Sequence, residues 1–352
     1  MAYFRKSLAI DLGTTSVLVY SRAHGVLLNE PSVVAIDSYT DKIVAVGQEA
    51  KDMLGRTPGN IIAMRPMRDG VIADYRSTER MLKYFIRKAG GRSLLGPDVI
   101  VCIPSQATQV QKRAVVQAST AAGAHNTYLI EEPLAAAIGS GVEIGDPGGN
   151  LIVDIGGGTT DVALISMGGI VLSKSIRTAG DEFDEAISNY IRRKFTMMIG
   201  ERTAEEIKIA AGELANAEGN PQLEVKGRSL TDGLPVHGYV TEEDLNLALA
   251  DSIRAIVDAI HEVLSDTPPE LAADLYDRGT LLTGGGSLIH GLKESIEQRT
   301  GIEVKRVDQP ITAVVRGTGR ALAWIKRLNS GDEILANQTR NQVINREKLR
   351  KR

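Results

Sequence analysis

The sequence predicts an α/β fold of two duplicated halves, each a sheet with helices, facing one another across a cleft. Three observations predict it. The phrase "DLGTTSVLVYS" (residues 11–21) returns as "DIGGGTTDVALIS" (residues 154–166), and the two open successive halves of the chain. After each phrase, short apolar strands give way to segments of helical period. The chain has 352 residues, more than the roughly 250–300 that one hydrophobic core serves.

Taken in order, "KSLAIDLG" and "TSVLVYS" read as strand, Gly-Thr turn, strand. In "STERMLKYFIRKAGG", Met81, Leu82, Phe85, Ile86 and Ala89 share one helical face, and Gly90 with Gly91 stops it. "DVIVCIP" is continuously apolar between turn residues, as a buried central strand is. "SQATQVQKRAVVQASTAAGA" follows it as a helix. "NLIVDIGGG", "TDVALIS" and "GIVLSKSI" then repeat the strand pattern of the first half. "VTEEDLNLALADSIRAIVDAIHEVL" opens with a capping box at Thr241 and Asp244. It carries Leu245, Leu249, Ile253, Ile256, Ile260 and Leu264 as a stripe, and Pro268-Pro269 ends that region. "RGTLLTGGGSLIHGLKESIEQRTG" reads strand, Gly-rich turn, helix. Residues 331–352 have little apolar period and a basic end, so a mobile tail is expected there.

Composition excludes several classes. A hydrophobic share of 43% with 24% charged residues is that of a folded chain, and a net charge of −3 gives no reason to expect nucleic acid as a partner. The single cysteine, Cys102, sits in an apolar strand and reads as a core thiol. The five histidines show no metal-ligand spacing. The apolar run in "MAYFRKSLAIDLG" is too short for a secretory signal, and no run approaches the ~20 residues of a spanning helix, so a cytoplasmic protein is expected.

The two turns carry the chemistry. A hairpin turn of Gly and Thr presents backbone N–H groups with no side chain in the way, which suits phosphate oxygens. An aspartate before each turn, Asp11 and Asp154, would be repelled by phosphate unless a cation stood between, which implies Mg²⁺ held through its waters. Neither turn is a P-loop or a dinucleotide fingerprint, because each leads into a strand. The third glycine run, Gly284 to Gly286, allows close approach of a flat base or a ribose. In "YLIEEPLAAAIGSG" two carboxylates precede a proline, and one of them can orient water for attack on a γ-phosphorus. Alternation puts Glu131 and Glu132 on different sides.

These residues resemble the actin, sugar kinase and heat-shock chaperone superfamily. The match is closer to the bacterial actin MreB family and its paralogues, over residues 5 to 328. "NEPSVVAI", "MRPMRDGVIADY", "YLIEEPLAAAIG", "DIGGGTTDVALIS", "LTGGGSLI" and "GTGRAL" carry it. The resemblance implies an actin-like (ribonuclease H-like) fold of four subdomains: residues 1–31, 70–140 and 313–330; 32–69; 141–178 and 244–312; and 179–243. It implies ATP or ADP with Mg²⁺ in the cleft, slow ATP hydrolysis, and assembly into filaments that guide cell-wall synthesis. By motif, Gly13, Thr14 and Thr15 bind phosphate from one side and Gly156, Gly157 and Gly158 from the other. Glu132 and Thr159 position the attacking water, and Asp11 and Asp154 hold the Mg²⁺ shell. "ERTAEEIK" resembles the adenosine-side helix, which makes Glu205, Glu206 and Lys208 binding residues, with Gly284, Gly285, Gly286 and Ser287 completing the pocket. Two departures bear on hydrolysis rate and on which paralogue this is: Thr15-Ser16 where Ala-Asn is usual, and Asp161 where Glu is usual.

The resemblance also implies partners. Leu94 and Leu95, in the loop "GGRSLLGPD", correspond to an apolar pair that enters the inner face of the cell membrane, flanked by Arg87, Lys88 and Arg92. Val110 matches the position where protofilaments pair antiparallel. The expected partners are further copies of the chain, the inner membrane surface and membrane proteins of cell-wall elongation. The rivals are other roles of the same superfamily. A chaperone ATPase lacks sequence here for a substrate domain after residue 330. A metabolic kinase would need an acceptor-activating acid and a sugar-binding insertion. An actin-like ATPase of plasmid segregation or of a pilus platform would differ in binding to liposomes.

Overall fold

The computed structural model describes residues 6–91, 96–216 and 222–323 and the backbone of Glu333–Ile334; for 212–216 only the backbone is described. Leu94, Leu95 and Arg92 lie outside the described residues.

Two sheets of the same topology form the body. In the first, Gly25–Pro31, Ser16–Ser21 and Ser7–Leu12 run antiparallel, and Asp98–Ile103 and Asn126–Glu131 continue the sheet in parallel. In the second, Gly169–Ile176, Thr160–Ser166 and Asn150–Ile155 run antiparallel, followed in parallel by Thr280–Thr283 and Val304–Arg306. The repeated phrase thus marks the same hairpin in both sheets. Glu333–Ile334 adds a short parallel strand beside Asn126–Glu131, inside the segment expected as a tail.

Local sequence explains the helices. Tyr75–Gly90 is capped by Asp74, whose carboxylate accepts from Ser77 N–H at 2.7 Å, and Gly91 ends it at φ 69°. Gln109–Ala121 begins with a reciprocal box between Thr108 and Gln111. Glu242–Ser265 has the expected box of Thr241 with Asp244, and Asp244 also accepts from Tyr190 and Lys194. Pro269 does not only follow that helix. It opens the next, Pro269–Arg278, because the first helical turn has no use for an N–H at that position.

Each lobe carries a smaller part above its sheet. In the first, Val34–Asp37, Lys42–Val46 and Ile61–Met64 form a three-stranded sheet with the helix Gln48–Met53 around a separate core of Val33, Ala35, Ala45 and Ala50. In the second, the helices Gly180–Phe195 and Glu201–Asn216 pack with the strands Gln222–Ser229 and Pro235–Thr241. Phe183, Ile187 and Val240 join these to the core beneath the second sheet.

The lobes are joined by two helices, Glu132–Gly139 and Ala313–Ala321. Their crossing is close because it is lined by glycine. A Cβ on Gly139 would run into the Ala313 carbonyl, and one on Gly317 into the Ala135 carbonyl. Around them Ile100, Tyr128, Ile152 and Ile165, from both sheets, make one shared apolar core. Cys102 is buried in it, its Sγ 2.8 Å from Thr318 Oγ1.

Candidate active site

The two glycine turns meet. Each is closed by the same bond, from Gly13 N–H to the Ser16 carbonyl (3.1 Å) and from Gly156 N–H to the Thr159 carbonyl (2.9 Å). Among the described residues, the amides inside the turns, those of Thr14, Thr15, Gly157 and Gly158, donate to no backbone carbonyl. Packing holds the turns face to face. A Cβ on Gly157 would collide with Thr15 Oγ1, and one on Gly158 would lie 2.6 Å from Thr14 Oγ1. Thr14 Oγ1 is fixed from a third segment, accepting from Gly70 N–H at 2.8 Å. N–H groups with no backbone acceptor, on residues that line one cleft from two lobes, need a partner there, and an anion of several oxygens suits them.

Four carboxyls stand behind the turns. Asp154 and Asp161 are buried, directly opposite each other in the hairpin ladder. Asp11 and Glu132 keep part of their surface open to the cleft, although both sit deep in the protein. Burial, then the charge of Asp154, pushes the Asp11 carboxyl up to about 7. Burial also pushes Asp154 up to about 7, against the hydrogen bond that Thr283 Oγ1 donates at 2.6 Å, with the charge of Asp161 adding to the rise. Glu132 is raised well above the usual carboxylate range, first by burial and then by Asp161, Asp11 and Asp154. Carboxyls so placed either hold their protons or share a cation. Among the described residues no three His, Cys, Asp or Glu side chains converge into a direct metal shell.

The sign of the pH effect follows. An ordinary aspartate titrates near 3.8, so the folded chain binds these protons more tightly than the unfolded chain. Stability from these groups is therefore lost as pH rises from about 4 towards about 7. Melting of the nucleotide-free protein at points between pH of about 5.5 and about 7.5 should show a falling midpoint, and Asp154→Asn should flatten the fall. A variant whose curve runs parallel to the wild type would show that Asp154 is not the source.

The cleft has a volume of about 460 Å³. Gly284, Gly285 and Gly286 line one wall, where a Cβ on Gly284 would meet the Ile155 carbonyl. Ser287 is buried and holds that turn by donating to the Gly284 carbonyl at 2.7 Å. On the helix Glu201–Asn216, Glu205, Lys208 and Ile209 face the cleft. Lys208 Nζ donates to the Gly180 carbonyl and to Asp184, both at 2.9 Å. Burial opposes the charge of Glu205, but Lys51, 2.7 Å away on the other lobe, holds its carboxyl below the usual range. Glu206, expected beside it, turns to Arg202 at 2.9 Å and does not line the cleft. Val110, on the helix Gln109–Ala121, is 76% exposed, so it is not a core residue.

Comparison with known proteins settles the family. The family model described as MreB/Mbl protein matches residues 5–330. The chain belongs to the MreB/Mbl family. It is 48% identical over 326 residues to the cell shape-determining protein Mbl of Bacillus cereus, covering 92% of this chain and 98% of that one. It is 47% identical over 335 residues to the cell shape-determining protein MreB of Escherichia coli K12, covering 94% and 96%. Crystal structures of MreB5 of Spiroplasma citri bound to ADP and to AMPPNP each superpose with a TM-score of 0.87 at 35% identity, covering 92% of this chain and 98% of that one. The fold of this MreB/Mbl chain is therefore actin-like.

Within this MreB/Mbl chain several cleft residues went unmarked in the sequence. Ile209 is 68% exposed, and Leu288 and Ile311 are also open; together they form an apolar shelf on three separate elements. Isolated apolar residues on different elements leave no periodic signal. Lys51, Gly70, Ser105 and Gly180 were missed for the same reason: each reaches the site from a distant segment.

Proposed function

We propose that this chain binds and slowly hydrolyses ATP, and that the nucleotide governs its assembly into membrane-bound filaments that set cell shape. The observation that carries this reading is the meeting of the two turns, whose four inner amides donate to no backbone carbonyl and belong to residues that line one cleft. Gly13, Thr14 and Thr15 take the phosphates from one lobe and Gly156, Gly157 and Gly158 from the other. The apolar shelf of Ile209, Leu288 and Ile311 takes the base, beside Gly284 to Gly286, with Glu205 and Lys208 on the ribose side. The donor set fits Mg²⁺: with no direct shell among the described residues, Asp11 and Asp154 would hold it through retained waters, and when bound it neutralises phosphate charge.

Glu132 takes the proton from the attacking water as the water oxygen bonds to the γ-phosphorus and the bond to the bridging oxygen breaks. Its raised affinity for protons makes it a better base than an exposed carboxylate. The four subdomain ranges read from the sequence are proposed as the moving units. Further copies of the chain are proposed as partners, with pairing through the exposed Val110.

No helix among the described residues is long and apolar enough to cross a membrane. Attachment is proposed through Leu94 and Leu95, each worth roughly 2–3 kcal/mol when fully buried and multiplied along a filament. Of the nearby cations, Lys88 is engaged by Glu30 at 2.5 Å, which leaves Arg87 the freer of the two. Wild-type protein with ATP should form ribbons on an anionic lipid monolayer and sediment with liposomes. Leu94→Ser with Leu95→Ser should lose both while keeping phosphate release. Liposome binding unchanged in that variant would refute the membrane site, and the absence of ATP-dependent assembly would refute the proposed function.

A further inference from the structure

Asp161 is 1% exposed, and its two oxygens are treated unequally. Oδ1 accepts from Ser105 Oγ at 3.0 Å and from Ser105 N–H at 3.4 Å. Ser105 follows the strand Asp98–Ile103 of the other lobe, so this bond joins the two lobes. Oδ2 is fully buried with no hydrogen-bond partner. Burial holds the Asp161 carboxyl above the usual carboxylate range, opposed by Ser105 and by the Ser175 and Thr159 hydroxyls, and neither Ser175 nor Thr159 completes a bond to Oδ2. A buried carboxylate oxygen left unpaired is unfavourable by about 1–3 kcal/mol or more, which favours a nearby O–H turning to it during the working cycle. Ser175 sits on the next strand, away from the cleft, whereas Thr159 lines it.

We infer that Asp161 is a positioning residue for hydrolysis: clamped by Ser105 of the opposite lobe, it accepts a hydrogen bond from the Thr159 O–H and so fixes that hydroxyl as an acceptor. This rests on the proposed ATPase reading. A hydroxyl has one proton to give and two lone pairs to offer. With its proton committed to Asp161, Thr159 Oγ1 can only accept from the attacking water, while Glu132 accepts the other water proton. The lone pair of the water then faces phosphorus. Without the carboxylate, Thr159 is free to donate to that same lone pair and tie it up. Because Ser105 and Asp161 belong to different lobes, the arrangement is complete only when the lobes are in contact.

The test is a double-mutant cycle with single-turnover ATP hydrolysis and equilibrium binding of a non-hydrolysable ATP analogue. Asp161→Asn should slow hydrolysis roughly ten-fold or more with analogue affinity nearly unchanged, because an amide can donate to Thr159 and reverse its polarity. Thr159→Val should slow it at least as much, and the double variant should be no slower than Thr159→Val alone. Asp161→Glu should restore most of the rate, and Ser105→Ala should lose a smaller part. Additive effects, or a normal rate in Asp161→Asn, would overturn the inference. So would parallel loss of analogue binding and folding in Asp161→Asn that Asp161→Glu does not rescue. Wild type and Glu132→Gln run alongside separate the two readings. If wild type does not hydrolyse ATP, or Glu132→Gln equals it, the ATPase reading itself fails.

Discussion

Glu132→Gln should lower single-turnover ATP hydrolysis by at least about 100-fold, with ATP affinity held within a few-fold. Glutamine has the shape of the acid and can still hydrogen-bond water, but it cannot take its proton. Removal of a general base of this kind is worth roughly 10²–10⁴ in rate. Binding is expected to hold, or even to tighten. Asp161, Asp11 and Asp154 all repel the Glu132 charge, and a neutral amide removes that repulsion before any polyphosphate arrives. Folding should hold for the same reason, since the variant replaces a raised, half-buried acid by a neutral group. Rapid-quench hydrolysis and equilibrium binding of labelled nucleotide separate the two quantities. If rate and affinity fall together, Glu132 is a binding residue and the base is another group; if neither moves, the water is activated elsewhere.

What could be read from the sequence was local. The repeated hairpins are set by turn chemistry and apolar alternation within a dozen residues, so the antiparallel hairpin at the heart of each sheet was legible from two phrases, whereas the strands Gly25–Pro31, Asn126–Glu131 and Val304–Arg306 were not. The Thr241–Asp244 box and the stripe after it are likewise a helix start visible in one window. The orientation of "ERTAEEIK" required more. Glu205, Lys208 and Ile209 lie three and four residues apart, on one helical face, while Glu206 is rotated by about 100° and falls to Arg202. Ser105 against Asp161 and Lys51 against Glu205 join segments far apart in the chain, and neither pair has a pattern of its own. The apolar shelf is the same case: Ile209, Leu288 and Ile311 become a surface only after folding.

Gly317 shows a local rule giving the wrong sign. Within the helix Ala313–Ala321, alanine is favoured over glycine by about 1 kcal/mol, so propensity alone makes Gly317→Ala stabilising. Packing opposes it. The added Cβ would overlap the Ala135 carbonyl and lie 2.7 Å from Gly139 N, and both belong to the backbone of the partner helix, which has no rotamer to yield. The helices must part, opening the apolar core shared by the lobes, where Ala135, Val314 and Ala321 are now buried. Overpacking against rigid atoms costs about 1–3 kcal/mol or more, and the lost contacts add to it, so we expect a net loss of about 3 kcal/mol. At roughly 2 °C per kcal/mol for a chain of this size, the melting midpoint should fall by about 6 °C. Gly59→Ala, where nothing lies within 4 Å of the new Cβ, should leave it unchanged. The same shift should weaken nucleotide binding, because the crossing sets how closely Thr15 approaches Gly157. Calorimetry with and without nucleotide checks both effects. A Gly317→Ala protein as stable as wild type would mean that the two helices are free to slide apart, and that the grip on the phosphates is set by the turns alone.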